Sequence, residues 1–267
     1  MGQVSMEVAL PVIAACGIRP SVLPTAMLST HTGGFGDNTF LDLSDQIPKV
    51  LNHWQKINAG FDAVYLGYLG QNAISVWQNE LDDFYEKDTA IILDPAMADH
   101  GKLYRGFDQG YVEKMKKLAQ KATILTPNLT EAMLLLELPL ENIDKVEEKE
   151  ARVITQSLQV KFDLDGVVLT GVSLADNKLS TYGINHNDVL PWQINQEKLP
   201  GHYFGTGDLF ASALVAGLLH GKSLKQSSKI AGEFVADAIS KTEPNQDFRL
   251  GPNYAAALPK LMSQLSV

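Results

Sequence analysis

Four short apolar runs, each ended by a turn signal and each followed by an amphipathic stretch, constrain this chain more than any other feature. Ala63 to Leu66, Ala90 to Leu93, Ala122 to Leu125 and Val167 to Leu169 have strand length and almost no polar residue, the pattern of strands buried on both faces. Helical periodicity fills the intervals over Gln46 to Ala59, Ala73 to Asp83, Gly110 to Lys121, Thr130 to Leu136 and Asp144 to Gln159. Parallel strands need a crossover and a helix usually supplies it, so this order predicts a central, mostly parallel sheet with helices on both faces. The expected fold is a three-layer α/β/α arrangement in a single domain spanning 1–267, since no repeat, low-complexity tract or linker interrupts it. Lys178 to Ile194 breaks the rhythm with aromatic and β-branched residues around Gly183 and a polar Asn-His-Asn-Asp turn, which predicts a hairpin. Helices return at Leu209 to Leu219 and Ser227 to Ser240.

With 267 residues, 45% of them hydrophobic, the chain can bury a large core. Its net charge of −9 disfavours nucleic acid or an anionic membrane as a partner, because both need clustered Lys and Arg. The apolar run near the start has no basic flank and is far shorter than a membrane span, so a cytoplasmic protein is expected. The lone cysteine, Cys16, permits no intrachain disulfide and fits a reducing compartment. Lying in the apolar stretch Val8 to Ile18, it reads as a buried structural thiol rather than a nucleophile.

The strongest chemical signal is Gly-Thr-Gly-Asp, Gly205 to Asp208, opening a helix rich in small apolar residues. Gly205, Thr206 and Gly207 let backbone N–H groups converge at a helix N-terminus, which is an anion hole suited to a transferring phosphoryl group. Asp208 beside it is placed to take the proton of an attacking alcohol. Taken alone, the tetrad is at least as readily a capped helix start.

Three more strand ends carry polar groups. Thr126, Asn128 and Glu131 follow one strand, Asp94 ends another, and Thr170 with Gly171 ends a third. Open α/β sheets bind ligands at that edge, where these residues suit a metal and phosphates, although capping and Asp-Pro turns explain several of them equally well. No Walker-type Gly-rich loop with Lys is present, which excludes a P-loop enzyme.

In their relative arrangement, GTGD, TPNLTEA (Thr126 to Ala132) and DPAMAD (Asp94 to Asp99) resemble the ribokinase-like vitamin kinases over nearly the whole chain. LSTHTGGF, Leu28 to Phe35, and GYLG, Gly67 to Gly70, are similar to segments of the pyridoxal kinases. The resemblance implies ATP-dependent phosphorylation of the 5′-hydroxymethyl group of pyridoxal, pyridoxine or pyridoxamine, with Mg²⁺, room for a monovalent cation, and a homodimer. His31, Thr32 and Tyr68 would then contact the vitamer. Asn128, Thr170 and Gly171 would serve the nucleotide, Asp94, Thr126 and Glu131 the metal, and Asp208 would be the base. It further implies a ribokinase-like fold with no separate lid domain.

Such kinases usually begin with a hydrophobic strand and a substrate loop ahead of the segment that GQVSMEVALPV resembles. That first strand is expected to be missing here, and the chain as written is expected to bind or phosphorylate vitamers poorly. Three other readings stay open: a hydroxymethylpyrimidine or hydroxymethylpyrimidine-phosphate kinase, a non-catalytic nucleotide- or vitamer-binding protein, and a sugar or nucleoside kinase. Members of the last group carry a lid strand pair near the N-terminus, for which the alternation above leaves no room.

Overall fold

A computed structural model describes residues 1–84, 89–140, 143, 146–174 and 178–267. In chain order its elements begin with α1 (Met6–Ala15), the short strands β1 (Ala26–Leu28) and β2 (Phe40–Asp42), α2 (Ile47–Lys56), β3 (Ala63–Leu66) and α3 (Ala73–Phe84). Then come β4 (Ala90–Leu93), β5 (Ala98–Asp99), β6 (Lys102–Leu103), α4 (Gln109–Ala119), β7 (Ile124–Leu125), α5 (Leu129–Leu136) and α6 (Glu148–Phe162). The chain closes with β8 (Gly166–Leu174), β9 (Lys178–Asn185), β10 (Trp192–Glu197), α7 (Thr206–Leu219), α8 (Leu224–Ser240) and α9 (Tyr254–Leu265). The predicted start of the fifth helix at Asp144 lies outside the described residues.

Six strands form the central sheet in the order β10-β9-β8-β7-β4-β3. β3, β4, β7 and β8 run parallel, while β8, β9 and β10 pair antiparallel, as the hairpin prediction requires. Side chains alternate across the parallel strands as the pleat dictates. Ile91, Leu93, Val167 and Leu169 enter one core with residues of α2 to α6, whereas Val168 enters a second core built on α1, α7, α8 and α9. Ile92 faces the second layer too, packing with Ile13 and Val215. Both sheet faces are therefore covered, which is why the predicted strands read as continuous apolar runs.

Two strands differ in length from their predicted runs. β7 keeps only two residues, and just before it the Thr123 hydroxyl accepts from Ile91 N–H at 2.9 Å and donates to Ile91 C=O at 2.9 Å, the carbonyl to which the Thr123 N–H also donates at 2.9 Å. β8 runs on past Leu169 because Gly171, at φ +70°, absorbs a register shift between Leu169 and Val172.

The antiparallel pairs β1–β2 and β5–β6 stand apart from this sheet. The first is a strand pair near the N-terminus for which the sequence reading leaves no room. Its strands are only three residues each, and Met27, Phe40 and Leu41 are exposed. β3 is the edge strand of the central sheet, and three of its four residues are only half-buried. Among the described residues no helix is long and apolar enough to cross a membrane. Cys16 is fully buried, and burial pushes its thiol up to about 11, which leaves it a packing residue.

Candidate active site

α7 starts at Thr206, three residues before its apolar run, because Gly205 turns into the left-handed region at φ +83° and supplies the first intrahelical carbonyl, accepting from Leu209 N–H at 3.0 Å. The N–H groups of Thr206 and Gly207 precede that bond and have no intrahelical partner, so they are available to an anion. Gly205 lies against the N-terminal segment, where the Gln3 carbonyl approaches closely enough that an added Cβ would stand 2.1 Å from it. Gly207 has open space around it.

Asp208 occupies the first turn of α7. Burial raises its carboxyl to about 6, while hydrogen bonds from the backbone N–H of Ser5 and its own N–H pull the other way. Asp94 lies close by at the end of β4, 8% exposed, and burial followed by the charge of Asp208 holds it well above the usual carboxylate range. Glu131 is also held high, first by burial and then by Asp94, against three opposing backbone hydrogen bonds. No ion pair to any of these three carboxylates forms among the described residues. Buried, mutually repelling oxygens of this kind fit a hard divalent cation such as Mg²⁺.

The TPN turn and the DPAMAD loop are bound into one unit. Asn128 caps α5 by accepting from Glu131 N–H at 3.0 Å, and Glu131 returns the bond by accepting from Asn128 N–H at 2.9 Å. The other Glu131 oxygen accepts from Met97 N–H at 3.1 Å and Ala98 N–H at 3.5 Å. Asn128 Nδ2 donates to Ala98 C=O at 2.8 Å. Both oxygens of Glu131 are thus engaged with backbone, so its carboxylate fixes loops as well as adding negative charge. Thr126 is buried and its N–H donates to Leu93 C=O at 3.0 Å, next to Asp94. Thr170 bridges to Asn128 beyond the end of β7, and Gly171 beside it is exposed with nothing within 4 Å of an added Cβ. Asp94, Thr126, Asn128, Thr170 and Gly171 therefore share one sheet edge.

The segment carrying His31 and Thr32 reaches this edge through Phe204, whose ring centroid is 4.7 Å from that of His31. His31 Nδ1 accepts from Gly33 N–H at 3.1 Å, so Nε2 carries the proton and donates to Arg249 C=O at 2.8 Å. With both nitrogens engaged, the imidazole offers its ring face. Thr32 is half-buried beside it. Tyr68 is half-buried and stacks on Phe107 at 5.5 Å, with burial raising its phenol.

Four further residues belong to this neighbourhood. The phenol of Tyr65 is pushed well up by burial and then by Asp94 and Asp208, and it pairs with the side chain of Ser212, which donates to Asp208 C=O at 2.6 Å. Tyr104 is pushed up by burial and then by Glu131, Asp99, Asp94 and Asp208. Arg249 packs on the Phe35 ring at 4.7 Å and donates to Gly34 C=O at 3.1 Å, while Asp247 holds its guanidinium by three hydrogen bonds of 2.6 to 3.0 Å. The parity of Tyr65 within its strand puts it on the α7 side and was readable from the sequence, whereas Arg249 carries no motif.

Residues 10–254 match the family model described as phosphomethylpyrimidine kinase. The chain is 26% identical over 257 residues to a pyridoxine/pyridoxal/pyridoxamine kinase of Bordetella avium, covering 90% of this chain and 81% of that one. A Bacteroides thetaiotaomicron protein crystallised with pyridoxal superposes with a TM-score of 0.90 at 34% identity, over 100% of this chain and 92% of that one. Pyridoxal kinase from Staphylococcus aureus in complex with AMP-PCP and pyridoxal superposes with a TM-score of 0.76 at 25% identity, over 96% and 89% of the two chains.

Proposed function

The chain belongs to the phosphomethylpyrimidine kinase family, and from that premise we propose that it is an ATP-dependent kinase that phosphorylates the 5′-hydroxymethyl group of pyridoxal, pyridoxine and pyridoxamine. The observation that carries this reading is Asp208, a desolvated carboxylate in the first turn of a helix whose leading N–H groups are open, with Asp94 at its side. A binding protein has no use for a base at that position, whereas phosphoryl transfer to an alcohol needs one.

In this mechanism Asp208 takes the proton of the hydroxymethyl group as its oxygen bonds to the γ-phosphorus and the bond to ADP breaks. The N–H groups of Gly205, Thr206 and Gly207 meet the charge on the equatorial oxygens. Asn128, Thr170 and Gly171 contact the nucleotide phosphates, and His31, Thr32 and Tyr68 wall and orient the pyridine ring. Asp94 and Thr126, with the charge of Glu131 behind them, would hold Mg²⁺, which would supply neutralisation of phosphate charge. The unit that does this is one domain spanning 1–267. It acts in the cytoplasm, as the buried thiol of Cys16 suits, and as a homodimer, for which the exposed Met27, Phe40 and Leu41 offer apolar surface.

The family description itself favours a second acceptor, a hydroxymethylpyrimidine or its phosphate, also a hydroxymethyl group on an aromatic nitrogen ring. Both are tested by ADP release with Mg·ATP and each acceptor in parallel, with Asp208→Asn as control. Turnover with B6 vitamers that is lost in the variant supports the first reading, and turnover with the pyrimidine alone replaces it by the second. Silence with every acceptor from a folded chain overturns both.

A further inference from the structure

Three aromatic rings stand in a row behind the loop that follows β3. Tyr68 stacks on Phe107 with ring centroids 5.5 Å apart and planes inclined at 28°, and Phe107 stacks in turn on Tyr111 at 3.7 Å and 9°. The row runs from the half-buried Tyr68 and Phe107 into the core, where Tyr111 is 2% exposed. Its last member is tied back to its first, because the Tyr111 hydroxyl donates at 2.6 Å to the carbonyl of Leu69, the residue after Tyr68. Burial, and then the neighbouring Tyr68 and Glu131, hold the Tyr111 phenol well above its ordinary range, so it stays protonated and keeps donating.

The backbone under the middle ring is held from two sides. Asp108 caps α4 by accepting from Tyr111 N–H at 2.9 Å, which puts Phe107 just ahead of the cap and Tyr111 in the first turn. Apolar side chains on either side of a cap meet as a hydrophobic staple does and fix the angle at which the chain enters its helix. On the other side, Gln71 Nε2 donates to Gly106 C=O, which fastens the segment ahead of α4 to the loop after β3. A tyrosine with a free outer ring loses rotamer entropy when a ligand orders it, whereas one already stacked on a fixed neighbour loses less.

We propose that Phe107 is a positioning residue for the phosphoryl acceptor: through the Tyr68–Phe107–Tyr111 stack it holds the Tyr68 ring in the orientation that receives the acceptor's aromatic ring. This role rests on the reading of Tyr68 as a wall of the acceptor site, and it acts through Tyr68 rather than on the reacting atoms. Stacking needs a flat partner, so an aliphatic side chain of similar size at position 107 keeps the packing of α4 but not the alignment of Tyr68.

The test is steady-state kinetics of the full chain with Mg·ATP and pyridoxal, or hydroxymethylpyrimidine if that is the acceptor turned over, for wild type, Phe107→Leu, Phe107→Tyr, Tyr111→Phe, Tyr68→Leu and the Tyr68→Leu/Phe107→Leu pair. Phe107→Leu is expected to raise KM for the acceptor about tenfold while KM for ATP and kcat stay within about twofold, and Phe107→Tyr to bring the acceptor KM back to within about threefold of wild type. Tyr111→Phe keeps the stack and loses only the bond to Leu69, so a rise of about threefold is expected and its fold is preserved. The double variant is expected to match Tyr68→Leu alone within about twofold, because a residue that acts through Tyr68 has nothing left to act on. A merely structural Phe107 would instead lower thermal stability and raise both KM values, with effects that add in the pair. Wild type that turns over no acceptor overturns the reading of the site and this role with it. An active wild type whose acceptor KM is unchanged in Phe107→Leu and Tyr111→Phe, or additive effects in the pair, overturns the role of Phe107 alone.

Discussion

The carbonyl of Gln3 lies so close to Gly205 that a Cβ there would stand 2.1 Å from its oxygen. The N-terminal segment and the start of α7 therefore share one packed backbone contact, and Ser5 N–H continues it by donating to Asp208. Gly205→Ala meets this contact and a φ of +83° together, whereas Gly207→Ala meets open space and no positive φ. The first variant is expected to lose about 1 to 3 kcal/mol of stability and most of its turnover. The second gains helix propensity and is expected to unfold no earlier than wild type, yet its methyl group crowds the anion hole and raises KM for ATP. Thermal unfolding and ATP saturation curves check both, and a Gly207→Ala enzyme with unchanged KM would remove that residue from the phosphate site.

Asp208 acts as a base only when ionised, and its carboxyl titrates at about 6. Below that pH kcat/KM is expected to fall roughly tenfold per unit, because the base is lost to protonation. Asp208→Asn is expected to lower turnover at least about 100-fold and to erase this acid limb, with ATP affinity nearly intact. A pH–rate profile of both proteins decides it, and an acid limb that survives in the variant assigns the titration to another group.

The same carboxylate costs stability. Its pKa rises from the ordinary 3.8 to about 6 on folding, so the folded chain binds that proton more tightly. The charge is therefore a full penalty above pH 6, a shrinking one between 6 and 3.8, and none below. Two units correspond to about 3 kcal/mol, and partial solvent exposure reduces the net effect to about 1 kcal/mol. Asp208→Asn is then expected to be the more stable protein by about 1 kcal/mol near about pH 8 and equal to wild type near about pH 4. Urea unfolding at the two pH values measures the difference, and a variant weaker than wild type at the higher pH contradicts a desolvated Asp208.

The sequence showed the fold where local pattern and tertiary demand coincide. Ala63 to Leu66 and Ala90 to Leu93 became β3 and β4 with the predicted bounds because covering both sheet faces demands continuous apolar residues. The polar strand ends Asp94 and Thr126 to Glu131 could be read because the sheet topology brings its C-terminal edges together. What stayed hidden depends on contacts across long stretches of sequence. Among the described residues β1 and β2 pair only with each other, through residues too few to carry a period. Arg249 meets Gly34 across 215 positions, and nothing in the composition of either segment announces the other. The engagement of both Glu131 oxygens with backbone also separates a capping role from a metal role only once the 96–98 loop is in place.

Arg249 supplies the remaining prediction. Its carbonyl accepts from His31, its guanidinium packs on Phe35 and donates to Gly34, and Asp247 fixes its orientation. The segment that would wall the vitamer is thus fastened to the C-terminal part of the chain through both the side chain and the backbone carbonyl of Arg249, while the residues proposed for the nucleotide lie on the sheet edge. Arg249→Ala is therefore expected to raise KM for the vitamer about tenfold or more and to leave KM for ATP within about twofold, because only the ring site loses its order. Lys at this position keeps the charge but not the planar stacking on Phe35 or the forked contact with Asp247, so it is expected to rescue only part of the loss. Steady-state kinetics with each substrate varied in turn separates the outcomes. Equal rises in both KM values would mean that the residue supports the whole cleft rather than the vitamer segment.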